Sequence, residues 1–311
     1  MPSWSELTTA VSKQPEEKRG DYVIRLLDKT INSIATQRNR NVILYASAFL
    51  QKPDFHGLFT SITSEDINGF MAGVYKCDPN KDLLLILHTP GGLAAAAETI
   101  VGYLRSKFKK IDVAIPTYAM SAGTMIALGC DRIIMDRQSQ LGPIDPQMAF
   151  DGRHYSAHSI VGQFDKAKED IQDNPPLAHA WAPVLRSLGP ALLEEARRTH
   201  SYGQTIVSVW LEKYMFANQQ NADDLASKAA NFFSSDKHGA HGKRISREDA
   251  KSHRLKIINM EDDQDFQDNV LTLYHLSTIA FEQTPVLKMV LSSAGGRWIK
   301  NLGMPKQESN P

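Results

Sequence analysis

The spacing of apolar residues changes repeatedly along the chain, and each change predicts an element. Across residues 20–39, "GDYVIRLLDKTINSIATQRN", apolar positions recur at steps of three and four, the repeat of one helix face. "NVILYAS", 41–47, has no such repeat and is rich in β-formers, so it predicts a first strand. "TSEDINGFMAGVYKC", 63–77, predicts a helix, with Thr63 and Asp66 in capping-box spacing. "DLLLILH", 82–88, is a continuous apolar run short enough for a strand buried on both faces, as parallel sheets require. "LAAAAETIVGYLRSKF" then predicts a helix, "KIDVAIPTY" a strand, "SAGTMIALGC" a short helix of small residues and "DRIIMD" another strand. This alternation from 41 to 136 predicts a parallel α/β sheet with right-handed crossovers.

Past Gly142 the pattern becomes helical. "SAHSIVGQFDKAKEDI" predicts a helix that "DNPP", 173–176, stops, and most of 177–233 carries little β signal. A loop rich in Gly, His and Lys, "SSDKHGAHGKRIS", leads to a capped short helix in "SREDAKSHRL" and a strand in "KIINM". A last long helix, "QDFQDNVLTLYHLSTIAFEQ", precedes the strand "PVLKMVLSS" and a polar tail, "MPKQESNP", that is expected to be disordered. The expected divisions are an N-terminal arm and helix (1–40), an α/β core (41–175), a helical extension with a segment closing the core (176–260), and a C-terminal helix, strand and tail (261–311). There is no internal repeat.

Charge narrows the partners. With 35 basic and 35 acidic residues the 311-residue chain has no net field to hold nucleic acid or an anionic membrane. Cys77 and Cys130 lack metal-ligand spacing and sit in or beside apolar stretches, where a buried thiol is expected. The first residues contain no apolar signal core, so the chain is expected to be cytoplasmic. "VAIPTYAMSAGTMIALGC", 113–130, is uncharged for eighteen residues, but Pro116, Gly123 and its small polar groups favour a buried strand, turn and helix over a membrane span.

Two glycine-containing turns carry the candidate chemistry. "HTPGG", 88–92, ends one strand and "YAMSAGTM", 118–125, ends the next. A strand running straight into a helix leaves unpaired N–H groups at the helix start, and Gly91 and Gly92 let a ligand approach the main chain. That arrangement suits an oxyanion hole, in which N–H donors meet charge developing on a carbonyl oxygen. A plain structural turn explains "PGG" as well. A phosphate cradle does not, since no Gly-Lys-Ser/Thr follows. Ser121, flanked by Ala122 and Gly123, occupies a strand-to-helix bend as in nucleophile elbows, or else is a simple helix N-cap. Turns on adjacent parallel strands converge at the carboxyl edge of a sheet, which favours catalysis.

Together "LILHTPGG", "YAMSAGTMIALGCDRIIMD" and "QLGPIDPQ" resemble the serine dehydrogenase proteinase family, within the larger group of the Clp protease proteolytic subunit, signal peptide peptidase A and the crotonases. The resemblance is dense over about residues 64–172 and looser to about 258. It implies a crotonase-like (Clp protease-like) α/β fold and Ser121 as nucleophile of a serine peptidase. It also implies an oxyanion hole from Gly91 or Gly92 with Ala122, a peptide or unfolded-protein substrate, a homo-oligomer, and no cofactor or metal. A peripheral membrane location is compatible with it.

The general base departs from the family pattern. Clp-type enzymes place a histidine soon after the nucleophile strand, where this chain has only Asp145, a weak base at neutral pH. Lysine-dyad relatives place their base near position 162, which is Gly162 here. His158 and Lys166 lie one turn to either side on the same helix face and are the candidate bases. Each has a structural alternative: an interface histidine for His158, and a solvated lysine paired with Asp170 for Lys166. Lys168 points away, His88 suits a strand-end role, Glu98 is expected at the surface, and His238 and His241 are unassigned. Two other functions share these turns: a crotonase-type acyl-CoA enzyme, which needs no serine at this bend, and an inactive scaffold of the same fold.

Overall fold

The computed structural model describes residues 3–55, 57–150, 153–188, 191–235 and 242–302. Helices α1 (Trp4–Ser12) and α2 (Glu16–Arg38) come first. Ser3 caps α1 through a capping box with Glu6, and Leu7 and Val11 are buried, so the opening segment is docked as a helix. Helix α2 ends at Asn39, whose left-handed backbone (φ 48°) turns the chain into β1 (Asn41–Ser47). There follow α3 (Asp66–Val74), β2 (Leu83–His88), α4 (Ala94–Lys107), β3 (Ile111–Ile115), β4 (Tyr118–Ala119), α5 (Ala122–Leu128) and β5 (Arg132–Met135).

Next come β6 (Gln140–Leu141), the hairpin strands β7 (Gln147–Phe150) and β8 (Arg153–Ser156), and helices α6 (Ala157–Asp173), α7 (Ala178–Leu188), α8 (Leu192–Trp210) and α9 (Ala222–Ser234). The chain closes with α10 (Arg247–Ser252), β9 (Ile257–Asn259), α11 (Gln264–Gln283), β10 (Val286–Ser292) and β11 (Arg297–Asn301). The uncharged stretch 113–130 is β3, β4 and α5, and no described helix is long and apolar enough to cross a membrane.

The main sheet has the order β11-β10-β1-β2-β3-β5-β9. From β1 to β9 the pairings are parallel, while β10 and β11 add an antiparallel edge, with Tyr45 opposite Val290 and Ser47 opposite Lys288. Every residue of β1 and β2 is buried because helices cover both faces. Side chains alternate between the two. Ile43, Tyr45, Leu83, Leu85 and Leu87 join α3, α4 and α5 in one core, whereas Val42, Leu44, Leu84 and Ile86 meet α2 and α11 in the other. Each fully buried Leu or Ile contributes about 1.5–3 kcal/mol. The C-terminal helix and strands are therefore integral to the sheet that carries the glycine turns.

Helices α8 and α9 pack on the first core through Val207, Ala226, Ala229 and Phe233, and a smaller cluster of Met148, Ala157, Ile160, Leu192 and Ala196 joins α6 to α8. Strands β7 and β8 were not among the predicted elements, although Asp151-Gly152 between two short runs is a hairpin signal. Residues 236–241, with His238 and His241, and the tail from 303 lie outside the described residues.

Candidate active site

The two glycine-containing turns leave the carboxyl ends of β2 and β3 and are stitched to each other. Thr89 N–H donates to Tyr118 O (3.0 Å), and Met120 N–H donates to Thr89 O (3.1 Å). Gly91 (φ 100°) and Gly92 (φ 151°) hold backbone conformations that other residues rarely adopt. A Cβ on Gly91 would lie 2.5 Å from Met120 O, 2.6 Å from Ser121 Cβ and 3.1 Å from Ala122 N. The first turn therefore rests directly on the second. A Cβ on Gly92 would lie 2.2 Å from Ile62 O, because Ile62 pairs with this corner: its N–H donates to Gly91 O (2.7 Å) and its carbonyl accepts from Leu93 N–H (2.9 Å).

Ser121 precedes α5 with φ 50° and ψ −116°, a strained conformation for a residue with a side chain. Such backbone costs on the order of 1–3 kcal/mol and is kept only where its surroundings impose it. Here they do. Gly123 N–H donates to Met120 O (2.8 Å), Thr124 Oγ1 donates to Ala119 O (2.7 Å), and Gly142 N–H donates to Thr124 Oγ1 (2.9 Å). A side chain on Gly123 would meet Thr89 Cγ2 at 2.5 Å, so only glycine allows this approach.

Although Ser121 occupies the N-cap position, its side chain makes no capping bond, and its hydroxyl has no hydrogen-bond partner among the described residues. It is half-buried. Gly91 N–H is taken by Thr89 Oγ1 (3.1 Å), whereas the N–H groups of Gly92 and Ala122 have no acceptor among the described residues. Gly92 is exposed, and Ala122 N is the first nitrogen of α5, where the helix dipole adds positive potential. Each of the two turns thus carries an N–H without an acceptor among the described residues, and one of them, that of Ala122, directly follows Ser121.

The two candidate bases sit on α6 in different surroundings. Lys166 Nζ lies 3.4 Å from Asp170 Oδ1 with its side chain 67% exposed. His158 is half-buried, with its ring 5.5 Å from that of His200. Neither is hydrogen-bonded to Ser121. Asp145 is buried and accepts from Gln147 Nε2 at 2.8 Å. Glu98 lies at the surface and accepts a hydrogen bond from the Tyr202 hydroxyl. No group of three or more His, Cys, Asp or Glu among the described residues could hold a metal ion.

Residues 10–179 match the family of ClpP-like SDH-type serine proteinases. The chain belongs to that family. Two uncharacterized proteins of Methanocaldococcus jannaschii, MJ0137 and MJ1495, are 36% identical over 154 residues and 37% identical over 150 residues. These alignments cover 48% and 47% of this chain and 51% and 49% of the relatives, so the chain spans about half the length of the curated relatives it matches. Among solved structures, two variants of the 1510-N membrane-bound stomatin-specific protease align at TM-scores of 0.38 and 0.37. The first is 17% identical and covers 67% of this chain and 79% of that one; the second, with a substrate peptide, is 19% identical and covers 63% and 70%.

In this serine proteinase family member, His88, next to the first turn, is a buried structural group. It continues the strand face of Leu84 and Ile86, touches Tyr274 of α11 and Phe49 with ring centroids 5.0 Å away in each case, and its Nδ1 lies 2.9 Å from Thr117 Oγ1. Burial alone pushes its pKa down to about 3, so it stays neutral, and Nε2 has no partner among the described residues. Sequence reasoning did not single out Lys288 and read Asp66 only as a capping residue, whereas the two form a fully buried ion pair behind the Ile62 segment. A signal was present: a lone lysine inside the apolar run "PVLKMVL" requires a buried partner.

Proposed function

We propose that the chain cleaves peptide bonds through an acyl-enzyme on Ser121, with the N–H groups of Gly92 and Ala122 as the oxyanion hole. The observation that supports this reading is the direct contact of Gly91 with Ser121, which packs the turn that carries Gly92 against a strained serine whose hydroxyl has no partner among the described residues. In the first step Ser121 Oγ bonds to the scissile carbonyl carbon, the carbonyl oxygen takes the charge, and the hydroxyl proton passes to a base. As the C–N bond breaks, that proton goes to the leaving amine, and water then releases the acyl group by the same route reversed.

Of the two candidate bases, His158 is the better. A lysine base has to be desolvated, and Lys166 is exposed and paired with Asp170. His158 is half-buried with its ring beside that of His200, and imidazole is the side chain that most often serves as a general base. The substrate is a peptide or an unfolded segment, which the family membership supports. A homo-oligomer belongs to the same reading, supported by exposed Leu50, Leu58, Phe59 and Leu93 around the glycine corner.

The test is a fluorophosphonate probe, which bonds to an activated serine with loss of fluoride. Wild-type protein is expected to label on Ser121, and Ser121→Ala to lose the label. Labelling that persists in Ser121→Ala overturns the assignment. A correctly folded wild type that never labels favours an inactive scaffold or the acyl-CoA reading.

A further inference from the structure

Lys288 and Asp66 face each other with side chains 2% and 0% exposed. Lys288 Nζ lies 2.7 Å from Oδ1 of the carboxylate and donates a directed hydrogen bond to Oδ2 at 2.9 Å. The same ammonium donates to Ser61 O (3.0 Å), while Asp66 Oδ2 accepts from Thr63 N–H (2.7 Å) and, more loosely, from the Tyr45 hydroxyl (3.3 Å). The pair therefore grips the backbone on both sides of Ile62. Ile62 in turn holds the glycine corner, through its bonds to Gly91 O and Leu93 N–H and its tight contact with Gly92. Because both bonds use the neighbours of Gly92, its own N–H is turned away from Ile62.

Desolvating two charges carries a penalty that their attraction does little more than offset, so an apolar pair would hold β10 against α3 equally well. What apolar side chains lack is a donor for Ser61 O and an acceptor for Thr63 N–H. We propose that Lys288 and Asp66 are positioning residues for the reaction, which fix the 61–63 backbone and through it aim the Gly92 N–H at the oxyanion. The inference rests on Ser121 as nucleophile and extends that reading to β10, far along the chain from the serine.

The test pairs a structural with a kinetic readout. The double variant Asp66→Asn/Lys288→Met removes both charges and the donor to Ser61 O while keeping an acceptor for Thr63 N–H. Amide hydrogen exchange at Ile62 and Leu93 is expected to be at least about tenfold faster than in wild type. The maximal rate of phosphonylation of Ser121 is expected to fall about tenfold or more, less than the loss from deleting a donor outright, with the probe's half-saturating concentration unchanged. A role in stability alone would leave that rate intact in folded protein. If the double variant does not fold, Thr63→Pro removes one gripped N–H with both charges in place and is expected to move both readouts in the same direction.

Unchanged exchange, or a wild-type phosphonylation rate in folded protein, overturns the inference. A wild type that does not label overturns the proposed function and the catalytic consequence drawn here, while the exchange measurement still decides the grip on Ile62.

Discussion

Lowering the pH should destabilise this protein through His88. Its imidazole is 1% exposed among Phe49, Tyr118 and Tyr274, and burial holds its pKa at about 3, against an ordinary value of about 6.5. Above about pH 6.5 the ring is neutral in both the folded and the unfolded chain and stability does not depend on it. Below that the unfolded chain binds a proton that the folded chain refuses, so stability falls by about 1.4 kcal/mol per pH unit until about pH 3. Between about pH 7 and about pH 5 the loss from this residue is about 2 kcal/mol. Urea unfolding followed by tryptophan fluorescence at both pH values, in wild type and in His88→Gln, isolates the contribution. The variant keeps an amide for Thr117 but does not titrate, so its stability should drop less on acidification, by that same amount. Equal drops in the two proteins would refute the reasoning.

Four further outcomes follow from the site. Gly91→Ala forces a Cβ against Met120 O and Ser121 Cβ at a positive φ, and should cost about 2–4 kcal/mol in urea unfolding and abolish labelling of Ser121. His158→Ala should slow phosphonylation about a hundredfold or more, as loss of a general base does, whereas Lys166→Ala should leave it within about twofold. Cys130 is buried, with its thiol pushed up to about 12 by desolvation, so iodoacetamide should modify it only after denaturation. Met148→Ala, in the small cluster beneath α6, should cost about 2–4 kcal/mol locally, read as faster hydrogen exchange in α6 and α8 with the main sheet unaffected.

The strands and helices of the central sheet were legible because their apolar patterns are strong: "NVILYAS" and "DLLLILH" admit no polar face, and the structure covers both faces. Small residues at the bends made the corner legible too. Gly91, Gly92 and Gly123 stand where the structure leaves no room for a Cβ. What the sequence alone left open was which glycine offers a free donor, because that depends on the side chain of Thr89 capturing Gly91 N–H. The short pairings β4–β6 and β7–β8 were missed, since strands of two to four residues carry too little periodicity to register. Lys288 was hidden for a different reason. Its partner lies 222 positions away, and Thr63 and Asp66 read locally as a capping box; the back-bond from Thr63 N–H to Asp66 does form, but the same carboxylate also takes a long-range ion pair that the local pattern does not reveal.

The central claim is that two backbone N–H groups from separate turns serve one reacting centre on Ser121. A crystal structure of the protein after reaction with a fluorophosphonate tests it most directly. The account predicts a single adduct on Ser121 Oγ, with the phosphoryl oxygen about 3 Å from both Gly92 N and Ala122 N. An adduct on another residue, or a phosphoryl oxygen turned away from both nitrogens, would contradict it.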